Sequence, residues 1–315
     1  LKDMFPYAII SLITSPRLYS GFSLEFLDKI DDTYIITTSD IGEYYSYLHS
    51  LSKLPITIIS CGPDTGFSDE LINSFGPYIF NLHPVPAPNY LGGAHETWQI
   101  LNSESLSGFA IQHVLSPNPH NCPFIFTTSY AIDDNDLPID LFDKSMAAGK
   151  NLLKAKLHEL VDYTRKVQPI PQQKCTTPPS PAYSWPRLYT PKNAWINWSW
   201  ESNDIVIFCR AFSHPYPGAR TYFNGHAITL HYHTISNNSS FHPYASGVIV
   251  EVDHDNLLVD VITKNAVIKF LYSNYQGKPE SDSCNIIAPG TRFITPRDLL
   301  DESLEIAVVS STGIA

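Results

Sequence analysis

Residues 80–93 read FNLHPVPAPNYLGG, the stretch where an apolar run stops and the chain must turn. Tyr78 and Ile79 extend the run backward, so Tyr78 to His83 has the length and composition of a buried strand. Prolines at 84, 86 and 88 and glycines at 92 and 93 cannot continue it, because proline lacks an N–H and glycine frees the backbone. Asn81 and His83 stand two apart, so they project from one face of the strand. The loop behind them lies at a strand's C-terminal end, where open α/β sheets place ligands. Ala94 to Leu101 then has the pattern of a short helix.

Working outward, the apolar runs YAIISLI, TYIITT, ITIISC, YIFNLH, GFAIQHV and PFIFTT alternate with helix-length segments over residues 1–167. That rhythm predicts stacked βα units around a mainly parallel sheet. Asp136 to Val167 predicts a long helix beginning near Pro138, with Leu152, Leu153, Leu157, Leu160 and Val161 on its apolar side. Residues 168–191 hold seven prolines, which favour an extended, semi-rigid connector. Beyond it, Asp204 to Phe212 predicts a helix, and HAITLHYHTI, SGVIVEVD, NLLVDVIT and AVIKFLY alternate with turn signals as strands of a small barrel do.

Composition narrows the function classes. The 315 residues are 43% hydrophobic, 12% aromatic and 16% charged, a folded chain long enough for two domains. A net charge of −11 lacks the basic field that draws polyphosphate backbones, which argues against a nucleic-acid substrate. The five cysteines are scattered with no CxxC pair, which reads as reduced thiols of the cytoplasm. The apolar start is short and broken by Pro6 and Pro16, so it reads as a first strand; neither signal peptide nor membrane partner is expected.

Two stretches carry a family resemblance. FNLHPVPAPNYLGG with the following Trp98 to Leu101, and PRLYTPKNAWINWSWESNDIVIFCRAFSHPYPGARTYFNG from Pro186 to Gly225, occur in this order. They resemble the Asn-x-His active-site loop and the opening of the C-terminal domain of the formyltransferases. The resemblance implies an α/β chain with a Rossmann-like formyltransferase domain at residues 1–167, a linker at 168–191 and a small OB-like β-barrel at 192–315. It also implies 10-formyltetrahydrofolate as donor, with Asn81 and His83 polarising the formyl oxygen and His83 helping with the amine proton. The chemistry suits them: formyl transfer needs donors for a developing oxyanion and a base for the attacking amine.

The family's third catalytic residue is an aspartate in an Asp-Thr-Gly loop, and the matching segment here is SPNPHNCPFIF. His120 therefore stands in for the carboxylate, with Asn121 and Cys122 beside it. The donor-side contacts implied are Gly62, Pro63, Pro88, Leu91, Gly92, Asn121 and Cys122. Val85, Pro86 and Ala87 replace the usual Ser-Leu-Leu, and Leu91 replaces an arginine. An imidazole is not an acceptor-only carboxylate, so two further readings stay open: altered acyl or cyclisation chemistry, and a non-catalytic binding protein.

The family includes enzymes acting on tRNA, nucleotide sugars and peptide precursors. From Pro191 to Ala315 there are 8 basic and 12 acidic residues, a net of −4 where a tRNA-binding domain needs a positive face. PRLYTPKNAWINW resembles the connector of the sugar-formylating branch, so the expected acceptor is the amine of a nucleotide-linked amino sugar. The resemblance also admits a homodimer.

Several other residues invite a reading. Asp64, Thr65 and Gly66 read as a turn, and Asp133, Asp134 and Asp136 as a solvated loop. Strand alternation leaves His113 open between the two sheet faces, and His95 open between site and surface. His231 and His233 share a strand face without a third ligand, so no metal site is expected. Trp195, Trp198 and Trp200 read as buried anchors beside Arg187, and Pro217 to Ala219 as a tight turn.

Overall fold

A computed structural model describes residues 7, 11–14, 28, 30–35, 50, 56–61, 67–117, 122–166, 184–274, 287–306, 309–310 and 313–314. In chain order, the first half holds β1 (Ser11–Thr14), β2 (Asp32–Ile35), β3 (Ile58–Cys61), α1 (Asp69–Phe75), β4 (Ile79–His83), β5 (Leu91–Gly92), α2 (His95–Leu101), β6 (Leu106–His113), β7 (Phe124–Ala131) and α3 (Pro138–Lys166). Every apolar run named above carries a strand. β1 and β2 pair in parallel, and a second sheet has the order β3-β4-β6-β7.

That second sheet is mixed, which corrects the expectation of a mainly parallel one. β3 and β4 are parallel, but β4–β6 and β6–β7 are antiparallel. Residues 114–123 are too short for a helical crossover, so β6 and β7 form a hairpin. The helix that could have served as crossover after β4, α2, docks instead on a helix of the second half, Ser202–Ala211.

The sheet's two faces are both covered. Phe80 and Ile111 bury against Leu160, with Leu82, Phe126, Leu152 and Leu153 around them, so α3 lies on the face of even-numbered β4 residues. On the other face Ile79 packs with Leu71, Phe75 and Val114 under α1. Ser68 caps α1, its Oγ accepting the Leu71 N–H at 3.2 Å.

The second half holds β8 (Ser184–Trp185), α4 (Thr190–Asn193), α5 (Ser202–Ala211), β9 (Ala219–Phe223), β10 (His226–Asn237), β11 (Ile249–Asp253), β12 (Leu258–Ile262), β13 (Val267–Asn274), α6 (Arg297–Ser303), β14 (Val309–Ser310) and β15 (Gly313–Ile314). Five strands form one antiparallel sheet, ordered β11-β12-β13-β10-β9. Residues 290–294 hydrogen-bond to both of its edges. Tyr222 and Ile294 exchange N–H bonds on the β9 side, while Phe293 N–H donates to Gly247 and Ile249 N–H to Thr291 on the β11 side. The core under this sheet gathers Ile205, Cys209, Phe212, Phe223, Phe270, Tyr272 and Phe293, and it takes in Ile100 of α2 and Leu141 of α3. Trp195 and Trp198 are buried anchors as expected; the Trp198 Nε1–H donates to Thr221 Oγ1 at 2.9 Å. Trp200 is partly buried against this core.

Candidate active site

Asn81 and His83 occupy the last turns of pleat in β4, on the face opposite Phe80 and Leu82. Across the ladder Asn81 faces Gln112 and His83 faces Ala110. The Gln112 Nε2–H donates to the Cys122 carbonyl at 3.1 Å, which brings the far end of the β6–β7 loop beside Asn81. Asn81 Oδ1 is buried and has no hydrogen-bond partner among the described residues. A buried polar atom left unmatched costs stability, so it marks a place where a ligand or water completes the bonding.

One irregularity furnishes the next wall. The β6–β7 register slips between Ile111 and Gln112, so Phe126 pairs with Ile111 while Phe124 pairs with Gln112. This bulge breaks the alternation and turns Phe124 to the Asn81 face. There its ring lies nearly parallel to His83, with centroids 5.9 Å apart and planes 15° apart.

On its other side His83 meets His95, the first residue of α2, edge-on at 5.9 Å and 86°. Burial and the neighbouring His95 pull the His83 imidazole down to about 3, and burial pulls His95 down to about 4. Both rings are therefore neutral near pH 7, and each keeps one unprotonated ring nitrogen. The His95 carbonyl accepts from Gln99 Nε2 at 3.2 Å; the His95 ring also bonds the Tyr90 backbone, while Nδ1 is buried with no partner among the described residues.

The loop that carries His83 onward is held by the returning chain. Leu91 and Gly92 pair in parallel with Ser184 and Trp185 of β8, and the Gly93 N–H donates to the Trp185 carbonyl at 2.9 Å. The Trp185 ring stacks on Tyr90 at 5.3 Å and on Trp98 at 4.8 Å, and the Trp98 Nε1–H donates to the Pro186 carbonyl at 2.8 Å. Gly92 sits at φ +105°, and a Cβ there would run into the Trp185 backbone, so glycine is required. Tyr90 is fixed by its hydroxyl donating to Glu104 at 2.6 Å while accepting from Asn102 at 3.0 Å.

Of the expected site residues, Asn81, His83 and the Cys122 backbone come together. Leu91 is buried and Gly92 is engaged with β8, while Pro88 lies half-buried in the loop between them and His83. Cys122 Sγ is occupied locally, donating to the Ser116 carbonyl at 3.3 Å and accepting the Leu115 N–H at 3.4 Å. His120, Asn121, Gly62 and Pro63 lie outside the described residues, as do Asp64, Thr65 and Gly66 and residues 168–183 of the connector.

Other sequence readings sort themselves by packing. His113 turns to the α3 face and stacks on Phe80 at 5.2 Å, away from Asn81. The acidic cluster is not simply solvated: Lys144 bonds both Asp133 and Asp136 at 2.6 Å, and buried Asp136 accepts the Asp133 N–H. His231 is half-buried and His233 exposed on β10, and among the described residues no three His, Cys, Asp or Glu are grouped to hold a metal ion. Among the described residues no helix is long and apolar enough to cross a membrane. Gln112 and Phe124 escaped the sequence reading. A glutamine inside the apolar run GFAIQHV was a usable signal; the bulge that turns Phe124 has no local signature.

Residues 189–286 match the family model described as formyl transferase, C-terminal domain. A methionyl-tRNA formyltransferase from Lactococcus lactis subsp. cremoris (strain MG1363) is 26% identical over 294 residues, 90% of this chain and 87% of that protein. A third of the chain thus matches a formyl transferase C-terminal domain, and most of its length is similar to a methionyl-tRNA formyltransferase. Among solved structures it is similar in fold to an N-formyltransferase from Helicobacter canadensis in complex with folinic acid and dTDP-3-aminofucose, with TM-score 0.51, 17% identity, and 85% of this chain and 99% of that one covered. A 4-N formyltransferase from Francisella tularensis gives TM-score 0.56 at 17% identity, over 74% of this chain and 92% of that one.

Proposed function

We propose that this protein is an enzyme that moves a formyl group from a formyl-tetrahydrofolate to the amine of a small molecule, with nucleotide-linked amino sugars as the acceptor class. The observation that carries the reading is the Asn81–His83 pair: a carboxamide whose buried Oδ1 has no partner among the described residues, and a neutral imidazole, on one face at the end of β4. The folate supplies a formyl carbon bonded to nitrogen. Asn81 offers its amide N–H to the formyl oxygen, where negative charge develops as the amine adds. His83 takes a proton from the amine nitrogen as the new C–N bond forms and returns it to the donor nitrogen as the old C–N bond breaks, so no proton is gained or lost overall.

At the formyl end the fit rests on Asn81, whose Nδ2–H can donate to the formyl oxygen while its Oδ1, unmatched among the described residues, can accept from the attacking amine. Pro88 is the donor-side position left half-buried in the loop, while Leu91 and Gly92 hold β8 and support that loop from behind. On this reading residues 1–167 are the catalytic domain, 168–191 the linker, and 192–315 a C-terminal domain whose sheet, with residues 290–294, makes an OB-like barrel. The enzyme works in biosynthesis in the cytoplasm, as a homodimer.

A tRNA acceptor is the competing reading, favoured by the name of the Lactococcus relative. The net charge of −4 over residues 191–315 weighs against it, since phosphate contacts supply most of the affinity for such a substrate. The test is titration calorimetry with 5-formyltetrahydrofolate on wild type and His83→Ala, followed by a formyl-transfer screen of nucleotide-linked amino sugars against initiator tRNA. Saturable binding weakened in the variant, with turnover on an amino sugar, supports the proposal. No binding at millimolar ligand, or turnover on tRNA alone, overturns it.

A further inference from the structure

Formyl transfer by His83 leaves that ring transiently cationic, and something must fix its tautomer and share the charge. In the family a carboxylate has this role, and the matching segment here supplies none. Around His83, Phe124 covers one face and His95 stands edge-on at 5.9 Å. Gln112 is committed to the Cys122 carbonyl. Among the described residues, His95 is the titratable side chain that acts electrostatically on His83.

The rest of α2 points elsewhere. Glu96 acts on Tyr130 and Tyr216, and the Tyr90 hydroxyl is bonded to Glu104 and Asn102. His95 Nδ1 is thus buried with no hydrogen-bond partner among the described residues, next to the imidazole that must be oriented.

We infer that His95 is the positioning residue of His83: its ring nitrogen accepts a hydrogen bond from the His83 N–H remote from substrate, holding one tautomer and sharing the proton's charge. The inference rests on the formyl-transfer reading for its role in turnover, though the pairing itself does not. The ring separation is longer than a direct bond needs, as in many ligand-free sites, where such contacts tighten or run through one water when substrate binds. Two neutral imidazoles suit the task. Either can carry the proton, but not both at once, so the pair binds one proton where a carboxylate–imidazole pair would hold a fixed negative charge.

The experiment compares wild type with His95→Phe, which keeps a flat ring and removes both nitrogens, and His95→Asn, which keeps an amide near the Nδ1 position. Two readouts are taken: ¹⁵N–¹H correlation spectra of the His83 ring, which need no turnover, and steady-state kcat and KM. The inference expects a single His83 tautomer in wild type, a tautomer mixture in His95→Phe, and recovery of the single form in His95→Asn. It expects kcat to fall by about 100-fold in His95→Phe with KM for the donor little changed, and largely to recover in His95→Asn. A mixed tautomer in wild type, or an unchanged tautomer and kcat in His95→Phe, overturns it. If wild type transfers no formyl group yet loses its single His83 tautomer in His95→Phe, the pairing stands and the formyl-transfer reading falls. If His95→Phe does not fold, the wild-type tautomer and His95→Asn decide.

Discussion

Gly92→Ala tests whether β8 is the strap that holds the active-site loop. The added Cβ would overlap the Trp185 carbonyl oxygen and sit 2.8 Å from its N and 3.0 Å from its carbonyl carbon, all backbone atoms that cannot rotate away. The residue would also remain at φ +105°, which costs a side-chain-bearing residue about 1–3 kcal/mol. Relieving the overlap means lifting β8, which gives up the Gly93-to-Trp185 bond, worth about 0.5–1.5 kcal/mol. It also loosens the Trp185 contacts with Tyr90 and Trp98, worth about 0.5–1.5 kcal/mol each beyond their buried area. Together these come to about 2.5–7.5 kcal/mol, or a fall in Tm on the order of 10 °C. The control is Gly225→Ala, at φ +82° with nothing within 4 Å of the new Cβ, where backbone strain acts alone. Scanning calorimetry measures both, and the intrinsic fluorescence of the stacked tryptophans reports the strap. If Gly92→Ala melts no lower than Gly225→Ala, β8 does not hold the loop and the reasoning fails.

Three further outcomes follow from the site. His83→Ala lowers kcat/KM for formyl transfer by about 10²–10⁴-fold with Tm nearly unchanged; a loss under tenfold in a coupled assay removes His83 from the chemistry. Asn81→Ala lowers kcat by about 10²–10³-fold, and a KM effect alone would reduce it to a binding group. The His83 and His95 values of about 3 and 4 lie below the ordinary 6.5, so the unfolded chain takes up their protons first. Stability from these rings is therefore complete above pH 6.5 and lost as pH falls toward 4, by roughly 2 kcal/mol per ring at pH 5. Urea melts at pH 7.5 and 5.0 check the sign: His83→Gln with His95→Gln should flatten the dependence, and an equally steep loss in the double variant refutes it.

Much of the site was legible because strand periodicity is local. FNLHP fixes the face shared by Asn81 and His83 without any knowledge of the partner strands, and Pro138 announces the start of α3. His113 was not legible, because alternation gives two faces without saying which one α3 covers. Asp136 looked like a loop acid, and only the fold brings Lys144 within 2.6 Å of it. The mixed sheet was hidden as well, because hydrophobic runs carry no direction: β4 and β6 look the same whether they run parallel or antiparallel.

The sequence by itself determined which of the described segments are strands and helices, and that an amide and an imidazole share one face, since each depends on residues a few positions apart. The tertiary structure alone decided what surrounds them. The Phe124 wall comes from a register slip, the His95 edge from the path of the loop between β4 and α2, and the strap on Gly92 from a segment more than ninety residues further along the chain. These contacts join distant parts of the chain, and their geometry is set by which faces pack together, a choice made by the buried core as a whole.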